Sequence, residues 1–293
     1  TRNMSSAASD VYKRQTPLRY PGGKSRAAER LLKLAPKCKE FREPFLGGGS
    51  VALRFTQDNP TADVWVNDLY GYLYNFWKVL QSDYKELSDK LIDYKQQHHD
   101  ELLAKDLFLQ CKEDISEADS FEQACLFWIL NKCSYSGLTE NSSFSKTASK
   151  QNFTVRGAEN LKAVGSLIGH WNITNMDYSE VMNDDHDHSG DVFVFLDPPY
   201  KIKSYLYGTN AELHKDFDHK IFYDNCQVCP HKWMITYNID EEIEEWFDTY
   251  KQEYFQLTYG MKHRGSKNRN QQELLIRNYE AKVASPLEVM YAG

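Results

Sequence analysis

The strongest chemical signal in the sequence is the tetrapeptide Asp197-Pro-Pro-Tyr200, which directly follows the apolar run 192–196. Its two prolines fix the backbone and remove N–H donors, so the carbonyls of a rigid turn stay free to accept. Asp197 then offers a carboxylate, Pro198 a carbonyl and Tyr200 a flat ring. Acceptors beside a stacking face suit a planar amine, whereas a carbonyl substrate would need donors. A strand-to-turn corner with a packed tyrosine is the alternative, and the paired prolines make it the weaker one.

A glycine turn and a carboxylate form a second constellation. Gly47 to Gly49 interrupt an apolar stretch that resumes with helical periodicity, which predicts a strand, a glycine turn and a helix. Asp68 ends the next predicted strand, 21 residues after Gly47 and thus one βαβ step later. The glycines lack the G-x-G-x-x-G spacing of dinucleotide sites, but the pair suits a nucleoside-bearing cofactor whose ribose hydroxyls Asp68 would bind. A tight turn with a helix cap explains these residues equally well.

The remaining polar groups carry weaker signals. Lys24 ends an aromatic and glycine-containing segment, where a lysine could meet a cofactor carboxylate. The pair Cys226 and Cys229 has no second cysteine pair at matching spacing, so four zinc ligands are not indicated. The acidic and histidine-containing run 184–188 is contiguous and predicted to be a solvated loop. We therefore predict no metal site.

Six motifs carry a resemblance to a known family. They are YPGGK (20–24), EPFLGGGSV (43–51), ND (67–68), DY (177–178), DPPY (197–200) and ELLI (273–276). In this order, over nearly all of residues 17–279, they resemble the Dam-type (alpha-class) DNA adenine-N6 methyltransferases. Tetrapeptides related to DPPY also occur in methyltransferases that act on RNA adenine, cytosine N4 or protein glutamine. The GGK block and the motif order favour the DNA adenine enzymes over these alternatives and over a non-catalytic DNA-binding relic.

The resemblance implies S-adenosylmethionine as methyl donor and a flipped adenine of double-stranded DNA as acceptor. The predicted catalytic residues are Asp197, Pro198 and Tyr200. The predicted cofactor-binding residues are Tyr20, Lys24, Pro44, Phe45, Gly47, Gly49, Asp68, Asp177, Tyr178 and Asp197.

The net charge of −7 by itself argues against a nucleic-acid partner, but a nucleic acid responds to the local charge of the surface it meets and not to the total. Acidic residues dominate 83–122 and 212–253, whereas 132–156 and 262–269 are mainly basic. A solvated face is the ordinary explanation of one charge run, but both basic loops match DNA-contact regions of the family. The predicted DNA contacts are Lys132, Ser136, Gly137, Leu138, Lys146, Lys262, Arg264, Lys267 and Arg269. Thr139-Glu-Asn141 replaces the family's base-reading arginine, which leaves the recognised sequence open.

These residues need a fold that brings segments distant in the sequence together at one edge of a β-sheet. Apolar strands are predicted near 42–45, at 64–68, 171–177, 192–196 and 232–238, and at 272–279, with helices between them. Residues 69–132 have a helical pattern, 134–157 a loop or irregular hairpin composition, and 240–250 an acidic helix. The predicted fold is therefore α/β: a doubly wound, Rossmann-like methyltransferase sheet with an inserted, mainly helical target-recognition domain.

The predicted domains are discontinuous. Residues 16–75 and 158–280 form the catalytic, S-adenosylmethionine-binding domain, and residues 76–157 form the DNA target-recognition insertion. Residues 1–15 have the composition of a disordered, non-native leader, and residues 281–293 form a tail. Six cysteines without a secretory leader predict free thiols and a cytoplasmic protein. The resemblance implies that the cell is bacterial or phage-infected. Partners are expected to be DNA and a separately encoded restriction endonuclease, with no membrane and a monomeric or weakly dimeric state.

Overall fold

The fold is described from a computed structural model that covers residues 16–20, 22–186, 191–201, 217–258 and 270–280. Its strands are β1 (Glu40–Glu43), β2 (Asp63–Asn67), β3 (Asn172–Thr174), β4 (Val192–Leu196), β5 (Lys232–Asn238), β6 (Lys251–Thr258) and β7 (Asn270–Arg277). Within the described residues these seven strands form one sheet, in the order β3-β2-β1-β4-β5-β7-β6. The first five are parallel, and β7 runs antiparallel between β5 and β6. The predicted segments 1–15 and 281–293 lie outside the described residues.

Helices connect the strands and cover the sheet. They are α1 (Ala28–Leu34), α2 (Ser50–Asp58), α3 (Gly71–Ser82), α4 (Tyr84–Gln97), α5 (Glu101–Asp114), α6 (Ser120–Cys133), α7 (Lys146–Asn152), α8 (Val155–Leu167), α9 (Tyr178–Asn183), α10 (His219–Val228) and α11 (Glu241–Trp246). Several begin at an Asp, Ser or Thr whose side chain accepts a hydrogen bond from a first-turn N–H, as Asp119 does for α6 and Thr154 for α8.

The centre of the sheet shows why the fold is doubly wound. All five residues of β4 are buried, and their side chains alternate between two apolar cores. Phe193 and Phe195 belong to the core that contains α2, α3 and α6, whereas Val192, Val194 and Leu196 pack with α9, α10 and α11. Helical layers therefore cover both faces of the strand, and the predicted α/β class is confirmed.

The helical region between β2 and β3 packs around α6. Ten of its fourteen residues are buried, because α3, α5 and α7 all contact it. Its apolar residues join the same core as the sheet residues Phe41 and Phe193. The predicted domain boundaries at 76 and 157 fall within α3 and α8, and the division into two domains stays a prediction.

The structure corrects three details of the sequence prediction. Residues 146–152 form helix α7, not loop, since Ser145 caps it by accepting from the N–H of Ala148 at 3.2 Å. Strand β6 was not predicted, because its alternating polar residues lack an apolar run. The acidic helix ends at Trp246, four residues before its predicted end. In the part of the chain that is described, no helix has the length and apolar character needed to span a bilayer.

Candidate active site

Parallel topology brings the predicted site residues to one edge of the sheet. β1, β2 and β4 run in the same direction, so the segments that follow Glu43, Asn67 and Leu196 lie side by side at their carboxyl ends. The glycine turn follows β1, Asp68 follows β2 and Asp197 follows β4. Three segments that are far apart in the chain therefore meet where an open α/β sheet places its ligands.

Lys24 is the centre of the polar network at this edge. It is 4% exposed, and its Nζ donates to both carboxylate oxygens of Asp197, at 2.9 and 2.8 Å. It also donates to the Tyr200 hydroxyl at 2.8 Å and to the carbonyl of Gly22 at 3.0 Å. Lys24 thus connects its own loop to the Asp197-to-Tyr200 turn. The carboxylate that it binds in the structure belongs to Asp197, whereas the sequence predicted a cofactor carboxylate.

Asp197 receives a further hydrogen bond from β5. The hydroxyl of Thr236, a buried residue, donates to Asp197 Oδ1 at 2.8 Å. Three hydrogen bonds therefore converge on a carboxylate whose side chain is 22% exposed, and they fix its orientation. Pro198 is buried directly after it, while the half-buried ring of Tyr200 stacks on Tyr237 at 6.0 Å between centroids.

A second carboxylate lies behind this network. Glu273, on β7, is 2% exposed, and its Oε2 is 3.6 Å from Lys24 Nζ. Burial raises the pKa of Glu273 to about 7, with Asp197 acting in the same direction and Lys24 opposing it. The buried Lys24 ammonium therefore faces two carboxylates.

The glycine turn is held by aromatic side chains of the protein itself. Gly47 and Gly49 have φ of 48° and 66°, a region that favours glycine. A Cβ on Gly47 would lie 2.9 Å from the ring of Tyr20, and one on Gly49 would lie 2.8 Å from the ring of Trp77. Tight packing therefore requires these glycines, whether or not a ligand also approaches them.

Asp68 is tied to the glycine turn, as their spacing suggested. It accepts from the N–H of Gly47 at 2.8 Å and from the N–H of Tyr70 at 3.0 Å. Burial raises its pKa from 3.8 to about 6, and the two backbone hydrogen bonds oppose this rise. The carboxylate is oriented and keeps acceptor positions beyond these two bonds.

An aromatic pair flanks the same edge. Phe45, after β1, stacks on Tyr178, the first residue of α9, with centroids 5.1 Å apart. Pro44 is buried, and its carbonyl accepts from Nδ2 of Asn67 at 3.1 Å. Asp177 is exposed and caps α9 by accepting from the N–H of Ser179 at 2.9 Å. The structure thus brings predicted cofactor residues that follow four strands, β1 to β4, to one edge, with Asp177 in a capping role.

The predicted DNA contacts fall into different environments. Leu138 is 38% exposed, whereas Gly137 is buried. Gly137 packs closely against the backbone, because a Cβ there would lie 2.3 Å from the carbonyl oxygen of Arg19. Ser136 has a φ of 55° in the same turn, and the side chain of Lys146 is 70% exposed, 2.6 Å from Glu101. Lys262, Arg264, Lys267 and Arg269 lie outside the described residues.

Lys132 differs most from its prediction. It is 8% exposed, and its ammonium lies 5.3 Å from the centre of the Trp128 ring. Burial lowers its pKa to about 7. A buried lysine without a surface ammonium does not suit a contact with a phosphate.

Three residues were not predicted to be site residues, although Glu273 begins the ELLI motif (273–276). Thr236 and Glu273 lie within predicted strands, and Asn131 lies at the end of a predicted helix. The Asn131 side chain accepts from the N–H of Arg19 and donates to its carbonyl, both at 2.8 Å. It therefore fixes the segment that leads to Tyr20 and Lys24. A polar residue inside an otherwise apolar strand or helix was the available signal for all three.

Comparison with known proteins identifies relatives over most of the chain. The model of the D12 class N6 adenine-specific DNA methyltransferase family matches residues 20–278. A type II methyltransferase of Methanocaldococcus jannaschii is 26% identical over 247 residues, which cover 76% of this chain and 84% of that protein. A DNA N-6-adenine-methyltransferase of Escherichia phage P1 is 26% identical over 188 residues, which cover 62% of this chain but 24% of that longer protein.

Proposed function

Since the chain belongs to the D12 class of N6 adenine-specific DNA methyltransferases, we propose that it moves a methyl group from S-adenosylmethionine to the N6 amine of an adenine flipped out of double-stranded DNA. The observation that carries this proposal is the carboxylate of Asp197, oriented by Lys24 and Thr236 beside the ring of Tyr200. It supplies an acceptor and a stacking face at the carboxyl end of the central strand.

The residues of the sheet edge fit such a methyl donor. Asp68 is an oriented carboxylate with acceptor positions left for ribose hydroxyls, and Phe45 with Tyr178 offers an aromatic surface for a purine. S-adenosylmethionine, when bound, supplies an electrophilic methyl group on a positively charged sulfur. Tyr20, Lys24, Pro44, Gly47, Gly49 and Asp177 are proposed to complete this site, with Asp197 at its border.

The acceptor turn is proposed to hold and polarise the target amine. Asp197 and the carbonyl of Pro198 accept hydrogen bonds from the two N6–H groups, which draws the nitrogen lone pair out of conjugation with the ring. Tyr200 stacks on the base and offsets part of the few kcal/mol that base extrusion costs. As the nitrogen gains positive charge during transfer, the carboxylate of Asp197 stabilises it, and one N6 proton leaves to solvent once the new N–C bond has formed.

Double-stranded DNA is the substrate proposed for the surface around the 134–145 turn. Ser136, Leu138 and Lys146 are proposed to lie near the bases or phosphates, together with the basic segment 262–269. Because one relative is named a type II methyltransferase, we further propose that the chain protects the target sites of a separately encoded restriction endonuclease. We also propose that it acts as a monomer or weak dimer.

One experiment tests the proposed function as a whole. The purified protein is incubated with unmethylated genomic DNA and S-adenosylmethionine, and modified bases are mapped by long-read sequencing. We expect N6-methyladenine within one short recurring sequence. Methylation of cytosine N4, or the absence of modified adenine when the protein binds the donor, would contradict the proposal.

A further inference from the structure

Lys24 faces two carboxylates but makes hydrogen bonds to only one of them. Its ammonium bonds to both oxygens of Asp197, and Oε2 of Glu273 lies 3.6 Å away. Among the described residues, no hydrogen bond of ordinary geometry reaches either carboxylate oxygen of Glu273, although the residue is 2% exposed and both the Tyr200 hydroxyl and the Lys24 ammonium lie close to it. Buried polar groups are nearly always hydrogen-bonded, so this carboxylate calls for an explanation.

The strands around Glu273 do not supply one. In the sheet register, Glu273 lies opposite Asn238 of β5 and Phe255 of β6. Asn238 uses its side chain on Lys201, donating to its carbonyl at 3.0 Å and accepting from its N–H at 3.1 Å. Among the described residues, Lys24 is the cation that forms an ion pair with Glu273, and a shift of under about 1 Å would bring the two into hydrogen-bond distance.

The proposed chemistry gives Lys24 a reason to move. Three hydrogen bonds already converge on Asp197, two from Lys24 and one from Thr236. An arriving amine must therefore compete with the ammonium for acceptor positions. An ammonium that stays on Asp197 also neutralises the charge that the nitrogen needs as it becomes positive.

We propose that Glu273 is the second binding position of the Lys24 ammonium. When the target amine binds to Asp197, Lys24 moves from Asp197 to Glu273 and leaves the Asp197 carboxylate negative and open to the amine. Glu273 is thus a positioning residue that acts through Lys24, and no covalent bond forms or breaks in this step. The inference rests on the proposed role of Asp197 as the amine acceptor.

The pH dependence of methyl transfer follows from the same arrangement. Only the ionised form of Glu273 can receive the ammonium. Burial and the neighbouring Asp197 raise the pKa of Glu273 to about 7, Lys24 opposes the rise, and Tyr200 also faces this carboxyl group. The rate of methyl transfer should therefore rise with pH through about 7 and level off above it.

The test compares Glu273→Gln with the wild type in single-turnover methyl transfer to double-stranded DNA, using tritiated S-adenosylmethionine at saturation. We expect a rate about 10- to 100-fold lower at neutral pH, the loss associated with one charge-assisted hydrogen bond. The rise in rate near pH 7 should disappear. Glu280→Gln removes a carboxylate from an exposed side chain near the end of the same segment and should leave both rate and pH profile unchanged.

Two further variants separate the possible outcomes. Glu273→Asp keeps a carboxylate on a shorter side chain, so it should retain the rise with pH at a lower rate; it also replaces Glu273→Gln if that variant fails to fold. Asp197→Asn tests the proposed function by itself. If Asp197→Asn is inactive while Glu273→Gln keeps the wild-type rate and profile, the role of Glu273 is refuted and the proposed function stands. If Asp197→Asn stays active, the proposed function fails.

Discussion

The hydroxyl of Thr236 provides a sharp test of how Asp197 is oriented. It is 1% exposed and donates to Asp197 Oδ1 at 2.8 Å from the neighbouring strand β5. Thr236→Val replaces this hydroxyl by a methyl group of nearly the same size. The change removes the donor and leaves the shape of the site almost intact, so its effect reports on the hydrogen bond itself.

The magnitude follows from the charge and exposure of the acceptor. A hydrogen bond to a charged group contributes about 1.5–3 kcal/mol. The side chain of Asp197 is 22% exposed, so water can replace part of the lost bond, and about 1–2 kcal/mol is the expected loss. Because 1.4 kcal/mol corresponds to a factor of ten, the rate of methyl transfer should fall by about 5- to 30-fold.

The assay is single-turnover methyl transfer at saturating DNA and donor, with Thr236→Ser as the variant that restores the hydroxyl. Thr56→Val is the matched control, since the buried hydroxyl of Thr56 donates to the carbonyl of Ala52 at 2.8 Å, outside the site. It should lower the melting temperature without lowering the rate. A wild-type rate for Thr236→Val would refute the proposed orientation of Asp197, and so would an equal loss in Thr56→Val.

Three other perturbations have defined outcomes. Lys24→Met leaves two carboxylates without their shared buried cation and should lower the free energy of unfolding in urea by about 3 kcal/mol, whereas a loss under about 1 kcal/mol would contradict the buried pairing. Gly49→Ala adds a Cβ 2.8 Å from the ring of Trp77 at a φ of 66° and should cost about 2–4 kcal/mol, seen as a lower melting temperature; an unchanged temperature would exclude this packing. The pKa of Asp68 rises from 3.8 to about 6 on folding, so the folded protein binds the proton more tightly and loses stability as pH rises through that range. Asp68→Asn should flatten this part of the stability profile in urea titrations without donor, and an unchanged slope would disprove the shift.

Much of the scaffold could be predicted because its signals are local. The apolar run of β4 followed by Asp197, and the glycine turn one βαβ step before Asp68, each lie within a short stretch of sequence. The hydrogen bond from the N–H of Gly47 to Asp68 shows that this spacing reflected a real contact. Parallel strands then bring the two segments to one edge, as the α/β pattern requires.

The rest of the site depends on strand register, which the sequence does not reveal. Thr236 reaches Asp197 because Leu196, the last residue of β4, pairs with Ile235 of β5. This register places the residue after each of them, Asp197 and Thr236, side by side. Glu273 reaches Lys24 because β7 lies antiparallel between β5 and β6. Alternation predicts the face on which a side chain lies, but it does not predict which strand will be its neighbour.

Burial also separates the charged residues that were predicted to contact DNA. Lys132 was predicted to contact DNA because it begins the mainly basic segment 132–156, which matches a DNA-contact region of the family. It lies instead on the innermost helix, over Trp128, and is 8% exposed. Apolar residues on all faces of α6 predict that the helix is buried, but they do not show that the burial extends to Lys132 near its end.

The rate of methyl transfer by Asp197→Asn tests the central claim most directly. The substitution keeps the size of the side chain but replaces one carboxylate oxygen by an amide donor and removes the negative charge. At saturating DNA and tritiated S-adenosylmethionine, the single-turnover rate should fall by at least about 100-fold, the loss typical of a group that stabilises transition-state charge. A rate near that of the wild type would contradict the role of Asp197 as acceptor of the target amine.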